Sequence, residues 1–209
     1  MKYLENEKMK EAGLMMCKID VSYNFSFPAE EEELFRKIKV ELVGYDENEE
    51  DSVNIASADI LMVPSPWYGI NCDEEEDMFL LMDDTSEDLG TIASALKIYD
   101  VEEMEDNIWE GLLGGDLFYI SQFSVDAKYR KLGTGSILLE KIPGVLEDML
   151  NLEVGILALI ASPFEISYDD KKYAAEKKKL FSFYKKNGYD LINKKEGVMV
   201  RNRAFELES

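Results

Sequence analysis

The chain has 209 residues, 46% hydrophobic and 11% aromatic, so it can bury a core and whole-chain disorder is excluded. It has no histidine and only two cysteines, Cys17 and Cys72, far apart; histidine dyads, Ser-His-Asp triads, Cys/His metal sites and a disulfide framework are excluded. The net charge is −21, which repels nucleic-acid phosphate and argues against a nucleic-acid partner.

In chain order, residues 17–27 alternate as a strand, with Ile19, Val21, Tyr23, Phe25 and Phe27 on one face and Pro28 ending it. A second strand is predicted over 34–45, where Leu34, Ile38, Val40 and Leu42 oppose Phe35, Lys37 and Lys39; the run Glu30–Glu33 before it could open a helix instead. Residues 52–63 form a third strand, and Pro64 and Pro66 break into a loop over 65–77. A helix is predicted to begin near Asp83–Ser86, with Leu89, Ile92, Ala93 and Leu96 at helical spacing. Another is predicted over 101–112, carrying Met104, Ile108 and Leu112, and stopped by Gly114–Gly115.

Residues 117–125, LFYISQFSV, read as a strand, and a helix is predicted from about 136 to 150. The apolar run 155–162 suits a strand buried on both faces. A basic helix follows over about 173–187, capped by Gly188, and short strands near 189–193 and 197–203 close the pattern. No domain boundary stands out; one mixed sheet covered by helices is expected.

The charge is unevenly distributed. Residues 1–125 hold 8 basic and 31 acidic side chains, while residues 126–209 hold 15 and 13. The acidic runs Glu30–Glu33 and Asp73–Asp77 read as solubilising surface. An anionic ligand is expected on the C-terminal part and a cationic one on the N-terminal part. No run of 18 apolar residues exists, and the charged start MKYLENEKMKEAG lacks a signal-peptide core, so a cytoplasmic protein without membrane attachment is expected.

The most informative stretch joins the strand at 117–125 to the helix after it, through Tyr129-Arg130-Lys131-Leu132-Gly133-Thr134-Gly135-Ser136. Gly133 and Gly135 permit unusual backbone angles, the helix start offers unpaired amides at its positive end, and Arg130 and Lys131 add charge. That combination suits phosphate, yet it has neither the GxxxxGK[ST] nor the GxGxxG spacing.

Val125–Gly135, VDAKYRKLGTG, resembles the pyrophosphate loop of the GNAT superfamily of acyl-CoA-dependent N-acetyltransferases, whose pattern (Arg/Gln)-x-x-Gly-x-(Gly/Ala) is filled by Arg130, Gly133 and Gly135. About fifty residues on, Phe183-Tyr184-Lys185-Lys186-Asn187-Gly188-Tyr189 resembles that family's second motif, with the apolar strand between them. The resemblance covers roughly 117–203. It implies an α/β (α+β) acyl-CoA N-acyltransferase fold, a mixed and mostly antiparallel sheet with helices on both faces, in one domain over 1–209. Within it, 117–203 would be the acetyl-CoA-binding core, and 1–116 a divergent acidic half facing the acceptor, helical over 84–112 where the family usually has a strand hairpin.

The resemblance further implies acetyl-CoA as co-substrate and no metal. Backbone groups of Phe123, Ser124 and Val125 would pair with the pantetheine arm. The loop Arg130, Lys131, Leu132, Gly133, Thr134, Gly135 and Ser136 would hold the pyrophosphate, with Lys186 beside it. Tyr184 would protonate the leaving thiolate. Its phenol, of ordinary pKa about 10, keeps a proton that a thiolate with an acid pKa of about 8.5 can take. No general base is nominated among Asp83, Asp84, Glu87 and Asp116, each of which reads more simply as a cap or surface charge. The expected reaction is direct attack of a primary amine, on a small molecule or a protein and cationic by the charge argument, upon acetyl-CoA; a homodimer is allowed for. The competing reading is a non-catalytic acyl-CoA-binding or acidic protein-interaction module on the same fold.

Overall fold

A computed structural model describes residues 16–23, 35–45, 52–63, 75–100, 102–163, 166–167 and 169–203. The expectations for Phe25, Phe27, Pro28, Glu30–Glu33, Pro64, Pro66 and the tail from residue 204 lie outside the described residues. The described chain is a mixed α/β structure. Seven strands form a sheet in the order β1-β2-β3-β4-β5-β7-β6, where β1 is Met16–Tyr23, β2 Arg36–Tyr45, β3 Ser52–Val63, β4 Asp116–Val125, β5 Val154–Ile160, β6 Asp190–Asn193 and β7 Val198–Asn202. Five helices accompany them among the described residues: α1 Glu75–Thr85, α2 Glu87–Leu96, α3 Asp106–Leu113, α4 Thr134–Leu150 and α5 Tyr173–Lys186. The chain forms two compact units, one from residues up to Met62 and Ile120–Asn151, the other from Val63–Tyr119 and Leu152 onward.

The first unit contains β1–β3, the end of β4 and α4. The β1–β2 pair is antiparallel from Met16 opposite Tyr45 to Tyr23 opposite Ile38. β2 alternates as its sequence predicts: Ile38, Val40 and Leu42 are buried while Lys37 is exposed, because one face of an antiparallel sheet meets a core and the other meets water. A register shift between Leu42 and Val43 ends the alternation, so Val43 and Gly44 are buried in succession. Three contacts mark β3 and β4 as antiparallel: Asp126 N–H donates to the Ile55 carbonyl at 2.9 Å, the Ser57 and Ser124 hydroxyls meet at 2.9 Å, and Ser121 Oγ donates to the Asp59 carbonyl at 3.1 Å. α4 packs against β2, and Leu138, Leu139, Ile142, Val145 and Leu146 are its buried apolar stripe.

The second unit gathers α1–α3, the start of β4, β5, β7, β6 and α5. β5 and β7 run antiparallel, as do β6 and β7. Val154–Leu159 are all buried, as expected for a central strand covered on both faces. The N–H of Asp116 donates to the Glu153 carbonyl at 2.8 Å, so β4 and β5 begin side by side and run parallel. Ser86 is the N-cap of α2, its hydroxyl accepting the Leu89 N–H at 3.2 Å, which is the helix start the sequence predicts. Residues 84–112 are helical in large part, as expected.

Two boundaries differ from the sequence reading. Residues 75–77, expected in a loop, already belong to α1, which Met78 and Met82 anchor by burying one face at i, i+4 spacing. α3 starts at Asp106 instead of residue 101, because Lys97 turns into the left-handed region and Glu105 is extended; Met104 reaches the core from a turn.

α3 lies against β5 with backbone touching backbone. A Cβ on Gly155 would strike the Gly111 carbonyl oxygen and lie 2.6 Å from that of Gly115. No side chain larger than hydrogen fits there.

Candidate functional site

The turn between β4 and α4 is built almost entirely by its own hydrogen bonds. The Asp126 carboxylate accepts the Lys128 N–H at 2.8 Å and its carbonyl accepts the Tyr129 N–H at 2.9 Å, which winds Ala127–Tyr129 into one 3₁₀ turn. Arg130 Nε then donates to the Val125 carbonyl at 2.9 Å, tying the far side of the turn to the strand end. Thr134, only 1% exposed, donates its hydroxyl to the Tyr129 carbonyl at 2.9 Å. Tyr129 itself is buried. The turn is therefore held from both ends before any ligand arrives.

Between those ties the backbone visits the left-handed region twice, at Lys131 (φ 67°) and at Gly133 (φ 86°). The sequence reading assigns the unusual angles to Gly133 and Gly135. Gly133 fulfils that assignment, but Gly135 does not: it lies buried in the first turn of α4 without a positive φ, and the second unusual conformation falls on Lys131. An L-residue there costs on the order of 1–2 kcal/mol, a strain that the flanking hydrogen bonds hold in place.

Gly133 is the N-cap of α4, so no side chain caps the helix, and its first turn carries no carboxylate. A Cβ built on Gly133 would meet no atom within 4 Å. Gly133 thus faces clear space at the head of a 17-residue helix, the end where the helix dipole favours an anion. Arg130, Lys131 and Gly133 are exposed, Leu132 and Ser136 half-buried, and Gly135 buried. Phe123 and Val125 are half-buried, and the Ser124 side chain is turned to Ser57. Phe123, Ser124, Val125 and residues 130–136 are thus brought together in one unit, as strand end, turn and helix start.

Tyr184 and Lys186 belong to the other unit, at the end of α5, where Lys186 is exposed. Tyr184 is 7% exposed, edge-on to the rings of Phe183 at 5.2 Å and Tyr189 at 5.8 Å. The sequence FYKKNGY has a local explanation. The N–H groups of Asn187 and Tyr189 donate to the Tyr184 carbonyl, Gly188 takes φ 84°, and the chain doubles back so that Tyr189 is buried against Tyr184. Burial pushes the Tyr184 phenol up to about 12.

One feature of the second unit was not read from the sequence. Tyr119 is 3% exposed and donates its hydroxyl to Asp88 Oδ2 at 2.7 Å; burial first, then that hydrogen bond, raises its pKa far above the ordinary phenol value. The partners lie 31 residues apart on a helix and a strand, and no local spacing announces them. Asp83, Asp84 and Glu87 are exposed and Asp116 half-buried. Among the described residues no group of three or more Cys, Asp or Glu is arranged to hold a metal ion. Among the described residues no helix is long and apolar enough to cross a membrane.

No protein-family model matches the sequence, and no curated protein matches it. Solved structures overlap it loosely. The KacTA–DNA complex contains a chain with TM-score 0.45 and 8% identity, spanning 91% of this chain and 98% of its own. AtaTR bound with AcCoA contains one with TM-score 0.43 and 10% identity, spanning 91% and 98%. Overlap of that kind assigns no role to any residue here.

Proposed function

We propose that the chain is an acyl-CoA-dependent N-acetyltransferase that moves an acetyl group from acetyl-CoA to a primary amine. The observation that carries this reading is the head of α4: an uncapped helix start without carboxylates, preceded by a left-handed glycine that faces clear space, at the end of the turn that follows β4. A diphosphate suits that arrangement because it accepts several amide hydrogen bonds at once and gains from the dipole. Arg130 and Lys131 supply positive charge to it, and the motifs around Arg130–Gly135 and Phe183–Tyr189 occur in the order the resemblance requires.

In the proposed reaction the amine lone pair attacks the thioester carbonyl, an N–C bond forms and the C–S bond breaks. The carbonyl oxygen, briefly an oxyanion, is met by a strand amide at or near Phe123. The departing thiolate takes a proton from Tyr184, and the amine releases one to water or to a base that the sequence does not identify. Lys186 adds charge toward the coenzyme's phosphates. The acidic N-terminal part favours a cationic acceptor.

One observation favours the second reading, an acyl-CoA-binding module without turnover. A phenol at about 12 gives its proton to a thiolate of ordinary acid pKa about 8.5 only uphill, by about 5 kcal/mol at 1.36 kcal/mol per pKa unit. Donation requires the thiolate to be comparably desolvated. Calorimetry with coenzyme A, paired with thiol release from acetyl-CoA over a panel of amines, separates the readings. Binding with release supports the enzyme, binding without release supports the module, and no binding removes both.

A further inference from the structure

Asn187 and Gly188, at the end of α5, form the only asparagine-to-glycine step in the sequence. Such a step carries chemistry of its own. The backbone nitrogen of the second residue can attack the side-chain amide carbon of the first, and glycine, having no Cβ, leaves the approach open. The Gly188 nitrogen gives up its proton and bonds to Asn187 Cγ, while the amide C–N bond breaks and its nitrogen departs as ammonia. Water then opens the cyclic imide. Attack at Cγ yields aspartate; attack at the backbone carbonyl yields isoaspartate, whose main chain runs through Cβ and is one carbon longer. Water is the only co-reactant, and nothing is oxidised or reduced.

The fold withholds each reacting group. Ring closure needs the Gly188 nitrogen to eclipse Asn187 Cβ across the Cα–C bond, which tetrahedral geometry places at ψ near about −120°. Asn187 has ψ 23°, which turns that nitrogen away from Cβ. Its side-chain amide donates to the Phe183 carbonyl at 2.7 Å, back along the helix. The Gly188 N–H donates to the Lys185 carbonyl at 3.2 Å, and the Asn187 and Tyr189 N–H groups donate to the Tyr184 carbonyl at 2.9 and 3.1 Å. Rotating ψ to the reactive angle swings Gly188 and Tyr189 off those carbonyls and draws buried Tyr189 away from the Tyr184 ring. The reaction therefore requires the end of α5 to open locally.

We propose that Asn187 is a spontaneous modification site concealed by the fold: it is converted when this end of α5 unravels, and the conversion keeps the end from closing again. Isoaspartate inserts a backbone carbon into the turn where Gly188 takes φ 84° and two N–H groups must reach one carbonyl. Either product also replaces an amide donor with a carboxylate that only accepts, set against the Phe183 carbonyl at the negative end of the helix dipole. The preceding Lys185 and Lys186 are exposed, where attraction to a carboxylate is worth little. The modification is thus a one-way record of opening. Neither coenzyme A nor an acceptor amine takes part in it.

Incubating the full chain at mildly alkaline pH, folded in buffer or unfolded in guanidinium chloride, tests this. Peptide mass spectrometry reads deamidation at each asparagine, and methyl incorporation by an isoaspartyl methyltransferase reads isoaspartate. In the unfolded chain Asn187 is expected to react before every other asparagine, and in the folded chain at least tenfold more slowly than in the unfolded one. Chain modified while unfolded and then refolded is expected to melt at a lower temperature than chain taken through the same cycle at mildly acidic pH, where the reaction is slow. Asn187→Gln, whose longer side chain does not close the five-membered ring, is expected to lose this difference between the two cycles. Asn187→Asp, which adds the carboxylate without lengthening the backbone, is expected to melt between the wild type and the isoaspartyl chain. Equal rates in the folded and unfolded chains, another asparagine reacting first in guanidinium, or modified chain that regains the unmodified melting temperature overturns the proposal.

Discussion

Two glycines of one helix give opposite expectations for the same substitution. Gly133 caps α4 and Gly144 lies in its interior, and a Cβ built on either meets no atom within 4 Å. Crowding therefore contributes nothing at either site, and only backbone conformation distinguishes them. Gly133 has φ 86°, where an L-alanine is strained by roughly 1–2 kcal/mol; Gly144 has ordinary helical backbone, where alanine is better than glycine by roughly 0.5–1 kcal/mol. For a chain of this size, about 2–4 °C of Tm accompanies each kcal/mol. Gly133→Ala is expected to melt roughly 2–8 °C lower and Gly144→Ala roughly 1–4 °C higher, by differential scanning calorimetry at neutral pH. The Gly133→Ala methyl also enters the space proposed for the diphosphate, so its dissociation constant for coenzyme A should rise at least tenfold, while Gly144→Ala leaves it unchanged. Melting shifts of equal sign would refute the conformational argument. A normal coenzyme A affinity in Gly133→Ala would refute the placement of the diphosphate.

Thr134→Val keeps the side-chain volume but removes the donor to the buried Tyr129 carbonyl; the orphaned acceptor should cost about 1–3 kcal/mol in urea unfolding, and an unchanged midpoint would contradict the buried bond. Gly155→Ala drives a methyl into carbonyl oxygens on α3 and before β4, which as backbone cannot swing aside, so at least about 3 kcal/mol should be lost or the fold abandoned; a near-native melt would show that α3 stands off. Tyr184, raised to about 12 from 10.0, is protonated in folded and unfolded chains below pH 10. Between pH 10 and 12 the unfolded chain ionises first, so stability should fall as pH rises, by up to about 3 kcal/mol from this group, and Tyr184→Phe should flatten that fall, read by urea titrations at each pH. If Tyr184 is also the proton donor, Tyr184→Phe lowers kcat for amine acetylation at least tenfold and leaves coenzyme A binding intact; equal turnover would remove it from the mechanism.

Local patterns carried most of the fold. Alternation in Ile38, Val40 and Leu42, the cap at Ser86 and the apolar run ending near Ile160 each report a neighbourhood a few residues long, and each is realised. Failures came where the decisive partner was distant or the sign was ambiguous. The acidic run before Met78 looks like solvated loop until Met78 and Met82 find a core. At the turn, the glycine pattern located Gly133 correctly but could not assign the second left-handed residue, because Lys131 is held there by ties at Arg130 and Thr134 that the motif does not encode. The bond from Tyr119 to Asp88 depends on how a helix lies across a strand, which no sequence spacing records.

The glycine contact between α3 and β5 has a bearing on motion. With no rotamers at the seam, neither element can slide by trading one side-chain arrangement for another, and any shift must break carbonyl-to-backbone van der Waals contact outright. Helix and strand are thereby locked in a single pose, and amide protons of β5 should be among the last in that unit to exchange with solvent.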